Sequence, residues 1–176
     1  MQKSNIALIG FMATGKTTVG KALAEYLGNE YSFVETDQII VENVGKDIPR
    51  IFAEDGEKEF RIYEIIACKQ ASNLKKVVIS CGGGVILNNI NINNLKENCY
   101  IVLLKASVEE IYNRIMKDGK ETRPIVDKED PKNEIEKVLE FRNPLYDNAA
   151  EFIIETTDKT VNDIVMEIVK KTHLKA

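Results

Sequence analysis

The sequence predicts an α/β protein whose parallel sheet is covered by helices on both faces. Five short apolar runs, at residues 5–9, 33–35, 76–80, 100–104 and 152–154, are separated by segments with helical periodicity. Strands that alternate with helices in this way form parallel sheets. The runs are also continuously apolar, as in Lys-Val-Val-Ile-Ser and Tyr-Ile-Val-Leu-Leu, which suits strands buried on both faces. At 176 residues, one domain spanning residues 1–176 is expected, long enough for a substantial core.

The first run, Ile6-Ala7-Leu8-Ile9, enters Gly10-Phe-Met-Ala-Thr-Gly-Lys-Thr17, and Val19, Ala22, Leu23, Tyr26 and Leu27 follow at helical spacing. A strand feeding a G-x-x-x-x-G-K-T loop that opens a helix is what polyphosphate binding requires. The glycines let successive backbone N–H groups turn inward, and the helix N-terminus adds partial positive charge. Lys16 can then neutralise the β/γ oxygens, and the Thr17 hydroxyl can ligate Mg²⁺. Further along, Ser107-x-x-Glu110 reads as a capping box before Val108, Ile111, Tyr112, Ile115 and Met116. Thr160-x-x-Asp163 does the same before Val161, Ile164, Val165, Ile168 and Val169, each box starting a helix. Only residues 117–131, polar with two prolines and a glycine, break the alternation. In a phosphate-binding protein such a stretch is either a surface loop or a mobile lid.

Composition narrows the function. A net charge of −4 without any Lys/Arg-rich run gives no support for nucleic-acid or membrane binding. The apolar N-terminal stretch ends too soon for a signal peptide, and no segment is long enough to span a bilayer. Cys68, Cys81 and Cys99 are widely spaced with no C-x-x-C pair, so they read as small buried residues. The single histidine, His173, lies near the C-terminus, which argues against histidine catalysis or a histidine zinc site. A cytoplasmic monomer is expected.

Ligands in open α/β sheets sit beyond the carboxyl ends of strands. Glu35-Thr36-Asp37 places two carboxylates at one such end, although Asp37 could equally cap a helix beginning near Gln38. Cys81-Gly82-Gly83-Gly84 occupies another, where the glycines either admit a ligand to the backbone or make a tight turn. Arg142 interrupts the stripe Ile135, Val138, Leu139 and Leu145, and an inward guanidinium needs an anion, from the protein or from a ligand. Arg61 has Glu57 and Glu64 at ion-pair spacing on its own helix. Arg123 lies within the 117–131 stretch, where it is either a solubility residue or one that closes over phosphates.

Taken together, these segments resemble the shikimate kinase family over nearly the whole chain. The resemblance rests on Gly10 to Gly20, Thr36-Asp37, Ile51-Phe-Ala-Glu-Asp-Gly-Glu-Lys-Glu-Phe-Arg61, Gly82-Gly-Gly84, and Arg123-Pro124 followed by Arg142-Asn-Pro-Leu-Tyr146. It implies a three-layer P-loop kinase fold with a five-stranded parallel sheet of order 2-3-1-4-5. A substrate-binding region would lie at about 35–64 and a mobile lid at about 117–131. It further implies ATP-dependent phosphorylation of shikimate, with Mg²⁺, in chorismate and aromatic amino-acid biosynthesis. ATP would be held by Ala13, Thr14, Gly15, Lys16, Thr17, Thr18 and Arg123. Shikimate would be held by Asp37, Arg61, Gly82, Gly83, Gly84 and Arg142, with Lys16, Asp37 and Arg123 catalytic. Thr17 would ligate the metal, and Glu35 would support it through water.

There are four departures from the family pattern. Glu35 stands where an aspartate is usual, and Ala13 replaces a glycine of the phosphate loop. Ile125-Val126 replaces Leu-Leu, and the arginine that often stacks on adenine is missing, with Arg114 and Lys117 as possible substitutes. A gluconate-kinase-like or other P-loop kinase is the rival enzyme. The departures at Glu35 and Ala13 motivate a second rival, a nucleotide-binding regulator that has lost turnover.

Overall fold

The computed structural model describes residues 3–118 and 130–174, Asp118 through its backbone alone. Its sheet is built from β1 (Asn5–Ile9), β2 (Ser32–Glu35), β3 (Val77–Ser80), β4 (Cys99–Lys105) and β5 (Phe152–Glu155). All strand pairs are parallel, in the order β2-β3-β1-β4-β5, the order that the resemblance implies. The helices are α1 (Lys16–Leu27), α2 (Thr36–Val44), α3 (Ile48–Glu54), α4 (Gly56–Ser72), α5 (Asn89–Lys96), α6 (Val108–Asp118), α7 (Pro131–Ala149) and α8 (Val161–Thr172).

The continuous apolarity of the inner strands has the cause inferred from the sequence. Along β1, Ala7 and Ile9 face one core layer with Ile79, Ile101 and Leu103. Ile6 and Leu8 face the other, with Val78, Val102, Leu104 and residues of α1 and α8. Successive side chains of a strand point to opposite faces, so two covered faces demand apolar residues at every position. β1 is buried throughout, whereas edge strand β5 keeps only Ile154 buried.

All five predicted strands exist, with ends that differ by one residue at four of them. Lys76 falls outside β3, its φ of 52° being left-handed rather than extended. Two helical expectations need correction. α2 begins at Thr36 with Glu35 at its N-cap, so Asp37 lies inside the first turn and is not the cap. On α7, Ile135 is buried but Leu145 is 36% exposed, and Tyr146, at 1%, takes the inward place. Eleven residues after Ile135 complete three helical turns, so position 146 returns to its face more closely than 145. Of the two predicted capping boxes, Thr160 with Asp163 makes the full reciprocal one. At α6 only half forms: Ser107 Oγ accepts from the Glu110 N–H, and the Ser107 N–H donates to Thr157 Oγ1 instead.

Chain order places a switch point at β1. After β1 the chain moves across β3 to β2, and after β3 it jumps across β1 to β4. A crevice opens where connections diverge to opposite sides of the sheet. The turns after β1 and β3 frame that crevice, tied together by the Cys81 N–H donating to the Leu8 carbonyl at 3.0 Å.

Candidate active site

The turn after β1 curls around its own lysine. Lys16 Nζ donates to the carbonyls of Gly10 (2.9 Å) and Phe11 (2.8 Å), and Thr14 Oγ1 donates to Phe11 O at 2.8 Å. Gly10 is required twice over. Its φ is +145°, and a Cβ there would lie 2.4 Å from the Leu104 carbonyl oxygen. Ala13, the departure in this loop, holds a left-handed φ of 59°, a conformation that costs a side chain about 1–3 kcal/mol. α1 follows with no side-chain cap and no acidic residue in its first turn. Its first N–H groups and the positive end of its dipole are left for an anion.

A cleft of about 550 Å³ opens over this loop. Among the described residues, Lys16, Arg114, Lys117 and Lys159 line it against only Glu35 and Asp37, an electropositive concavity on an acidic chain. Arg114 bridges two elements at its rim. It donates to Ala13 O at 3.1 Å, Thr156 Oγ1 at 3.3 Å and Thr156 O at 3.2 Å, and pairs with Glu110 at 2.8 Å. The start of α8 contributes Val161 and Ile164 to the same end.

On the opposite wall, the Thr17 hydroxyl donates to Glu35 Oε1 at 2.6 Å. The Asp37 side chain meets cleft solvent, but the surrounding protein displaces enough water to raise its carboxyl above the usual aspartate range. Glu35 adds to that rise, and Lys16 and Arg61 oppose it.

The triple glycine serves close approach rather than unusual dihedrals, since none of the three has positive φ. A Cβ on Gly82 would stand 2.7 Å from Asp37 Oδ1, and one on Gly84 would stand 2.6 Å from an Arg61 guanidinium nitrogen. Both ion-pair partners foreseen for Arg61 are present, Glu57 at 2.9 Å and Glu64 at 3.3 Å. Glu64 is 1% exposed, and burial raises its carboxyl while Arg61 opposes the shift. Arg142 makes no ion pair with a carboxylate among the described residues. Its guanidinium reaches Gly83 O at 3.4 Å, beside the Tyr146 hydroxyl, which donates to the same carbonyl at 2.6 Å. Burial pushes that hydroxyl up to about 12.

The structure thus gathers Ala13, Thr14, Gly15, Lys16, Thr17, Thr18, Glu35, Asp37, Gly82 and Gly83 around one cleft. Gly84 adjoins it as the next residue after Gly83 and carries Arg61 against it, and Arg142 adjoins it through the Gly83 carbonyl. Arg123 and most of the lid expected at 117–131 lie outside the described residues. Glu64, Tyr146, Lys159 and Val161 were not among the site residues read from the sequence. Tyr146 stood within the quoted Arg-x-Pro-Leu-Tyr segment, and the spacing of Glu64 from Arg61 was its only signal.

The family model "Shikimate kinase" matches residues 12–173. A shikimate kinase of Caldanaerobacter subterraneus subsp. tengcongensis is 42% identical, over 94% of this chain and 94% of that one. A solved shikimate kinase from Acinetobacter baumannii, in complex with shikimate, superposes with a TM-score of 0.87. It is 34% identical and covers 96% of this chain and 92% of its own. A gluconokinase from Sinorhizobium meliloti gives a TM-score of 0.62 at 17% identity, covering 98% of this chain and 94% of its own, a likeness of fold alone.

Proposed function

The chain belongs to the shikimate kinase family, and from that premise we infer that it transfers the γ-phosphoryl group of ATP to a hydroxyl of shikimate. One observation carries the reading beyond family membership. A loop built for polyphosphate lines one cleft with Asp37, Gly82 and Gly83, and Gly84, the next residue, stands against the Arg61 guanidinium. A phosphoryl donor and a carboxylated polyol can therefore stand side by side.

ATP phosphates bind the N–H groups of residues 13–18, with Lys16 leaving its two carbonyl partners for the β/γ oxygens. Arg114, Lys117, Lys159 and Val161 receive the base end of the nucleotide. Arg61 and Arg142 clamp the carboxylate of shikimate, because planar guanidinium forks match carboxylate oxygens in pairs. Asp37 orients the attacked hydroxyl and accepts its proton, a role suited to a carboxyl whose affinity for protons is raised. Activity that depends on the Asp37 carboxylate is lost as pH falls through that raised value. The Thr17 hydroxyl and the Glu35 carboxylate are hard oxygen donors set 2.6 Å apart. They fit Mg²⁺, which prefers such oxygens and would neutralise phosphate charge when bound. Thr17 would supply the direct ligand and Glu35 a contact through water. Arg123 would complete the site from a lid at 117–131, excluding water as the phosphoryl group moves in line.

The gluconate-kinase alternative keeps only the fold likeness in its favour. A regulator without turnover is disfavoured by Lys16, Asp37, Arg61 and Arg142 standing together. No helix among the described residues is long and apolar enough to cross a membrane. ADP release should be measured with shikimate, gluconate, a nucleoside monophosphate and no acceptor. Shikimate should be fastest by a wide margin, and faster turnover of another acceptor would reject the assignment.

A further inference from the structure

One buried polar side chain stands outside everything described so far. Asn91 on α5 is fully buried, and its amide Nδ2 donates to both Glu64 Oε2 and the Val85 carbonyl, each at 3.1 Å. Its Oδ1 has no hydrogen-bond partner among the described residues. The amide cannot be turned over to relieve that atom, because Oδ1 would then face a carboxylate and a carbonyl. A leucine would fill the place without an orphaned amide oxygen, but it would take the donor from the Glu64 carboxylate and the Val85 carbonyl. The asparagine is therefore accounted for by those two acceptors rather than by packing.

Asn91's two acceptors explain what the asparagine does. Glu64 holds the Arg61 guanidinium at 3.3 Å, and Val85 directly follows Gly82-Gly83-Gly84 and begins the short 3₁₀ turn Val85–Leu87. One amide therefore joins the helix that carries Arg61 to the turn that carries the three glycines. We propose that Asn91 is a positioning residue for the acceptor: through Glu64 and Val85 it sets Arg61 and the glycine turn in register for the carboxylated substrate, without touching that substrate. The inference rests on the assignment of Arg61 to the shikimate carboxylate. Displacement of a binding group by a fraction of an ångström to an ångström is enough to lower efficiency severely.

Loss of the Asn91 donor also changes Glu64. Arg61 on α4, Asp37 on α2 and Asn91 on α5 act on this buried carboxyl, with Cys68, Cys81 and Tyr146 close by. Asn91 and Arg61 favour the carboxylate, while burial and Asp37 oppose it. Without the amide, Glu64 takes up a proton at higher pH and then no longer anchors Arg61 as an anion.

Steady-state kinetics of Asn91→Leu, with thermal unfolding to verify folding, test the proposal. The KM for shikimate should rise about 10-fold or more, the KM for ATP should stay within about 2-fold, and the acid limb of kcat/KM for shikimate should move to higher pH. Glu64→Gln should show the same split between the two KM values, and adding Asn91→Leu to it should change little more. A folded Asn91→Leu protein with unchanged shikimate KM and acid limb, or with both KM values raised equally, overturns the proposal. Should that variant not fold, Glu64→Gln alone decides, and an unchanged shikimate KM there also overturns it. Arg61→Ala separates the two levels: unchanged shikimate affinity in this variant rejects the carboxylate assignment itself, whereas lost affinity there beside a silent Asn91→Leu rejects only the role of Asn91.

Discussion

At the end of the cleft proposed for phosphate, the groups on offer belong mostly to backbone, contributed by one short run from Gly10 to Thr18. At the end proposed for the acid they are side chains from α2, α4 and α7, brought against the glycine turn after β3. The first end is local in sequence and depends on dihedral angles and the absence of a Cβ. The second exists only after the sheet has assembled, and it is held by a chain of buried polar contacts. Substitutions at the two ends should therefore fail in different ways, one through loss of charge and loop shape, the other through loss of alignment.

The largest effect is expected at Lys16, the side-chain cation around which the phosphate loop is wound. Lys16→Ala should lower kcat by about 100- to 1,000-fold, the scale for losing a group that stabilises transition-state charge. A rapid-quench or coupled assay retaining most of the wild-type rate would place the phosphate site elsewhere. Arg142→Ala comes next. It should weaken shikimate binding by about 2–5 kcal/mol and leave ATP binding nearly unchanged, with Arg142→Lys rescuing only part because an ammonium has no planar fork. Calorimetric titration measures both affinities, and an unchanged one for shikimate would leave Arg142 a purely structural neighbour of Gly83.

A paired substitution sharpens the contrast within the glycine turn. A Cβ on Gly82 collides with Asp37, whereas one on Gly83 meets no atom of the described residues closer than 3.7 Å. Gly82→Ala should lower kcat by about 10-fold or more through displacement of Asp37. Gly83→Ala should keep the wild-type Tm and change chiefly the KM for shikimate. Equal kinetic defects in both would mean that the turn as a whole, rather than its contact with Asp37, matters. The smallest effect belongs to Ala13→Gly, which relieves left-handed strain but adds flexibility to the unfolded chain. A gain of less than about 1 kcal/mol in chemical denaturation is expected, and a clear loss would show that the Ala13 methyl packs usefully in the loop.

What could be read from the sequence follows the same division. The phosphate loop, the five strands and the helix caps are specified by near neighbours, so spacing was enough to place them. The inward face of α7 was set one residue off because Leu145 is apolar and Tyr146 carries a hydroxyl, while the fold buries the tyrosine and leaves the leucine in solvent. α5 left little trace: Asn89, Asn91, Asn93 and Asn94 fill half of it, and asparagine favours helices weakly. Glu64 looked like one of many helix-surface acids, and nothing local distinguishes it from Glu57. Its burial depends on α5 and the glycine turn closing over α4, a tertiary event without a sequence period. Lys159 and Val161 reach the cleft only because α8 folds back beside α1.

The chain's three thiols have a practical consequence for watching this enzyme at work. Cys68, Cys81 and Cys99 are all buried and unpaired, in one core layer, and burial keeps them protonated, with Cys99 pushed up to about 12. Alkylating probes need an accessible thiolate, so the natural cysteines are silent toward them while the protein is folded. A cysteine placed at Phe141, 68% exposed on α7, would be the reactive one without any prior removal of the others. A fluorophore or spin label attached there would report on the helix that carries Arg142 as each substrate arrives.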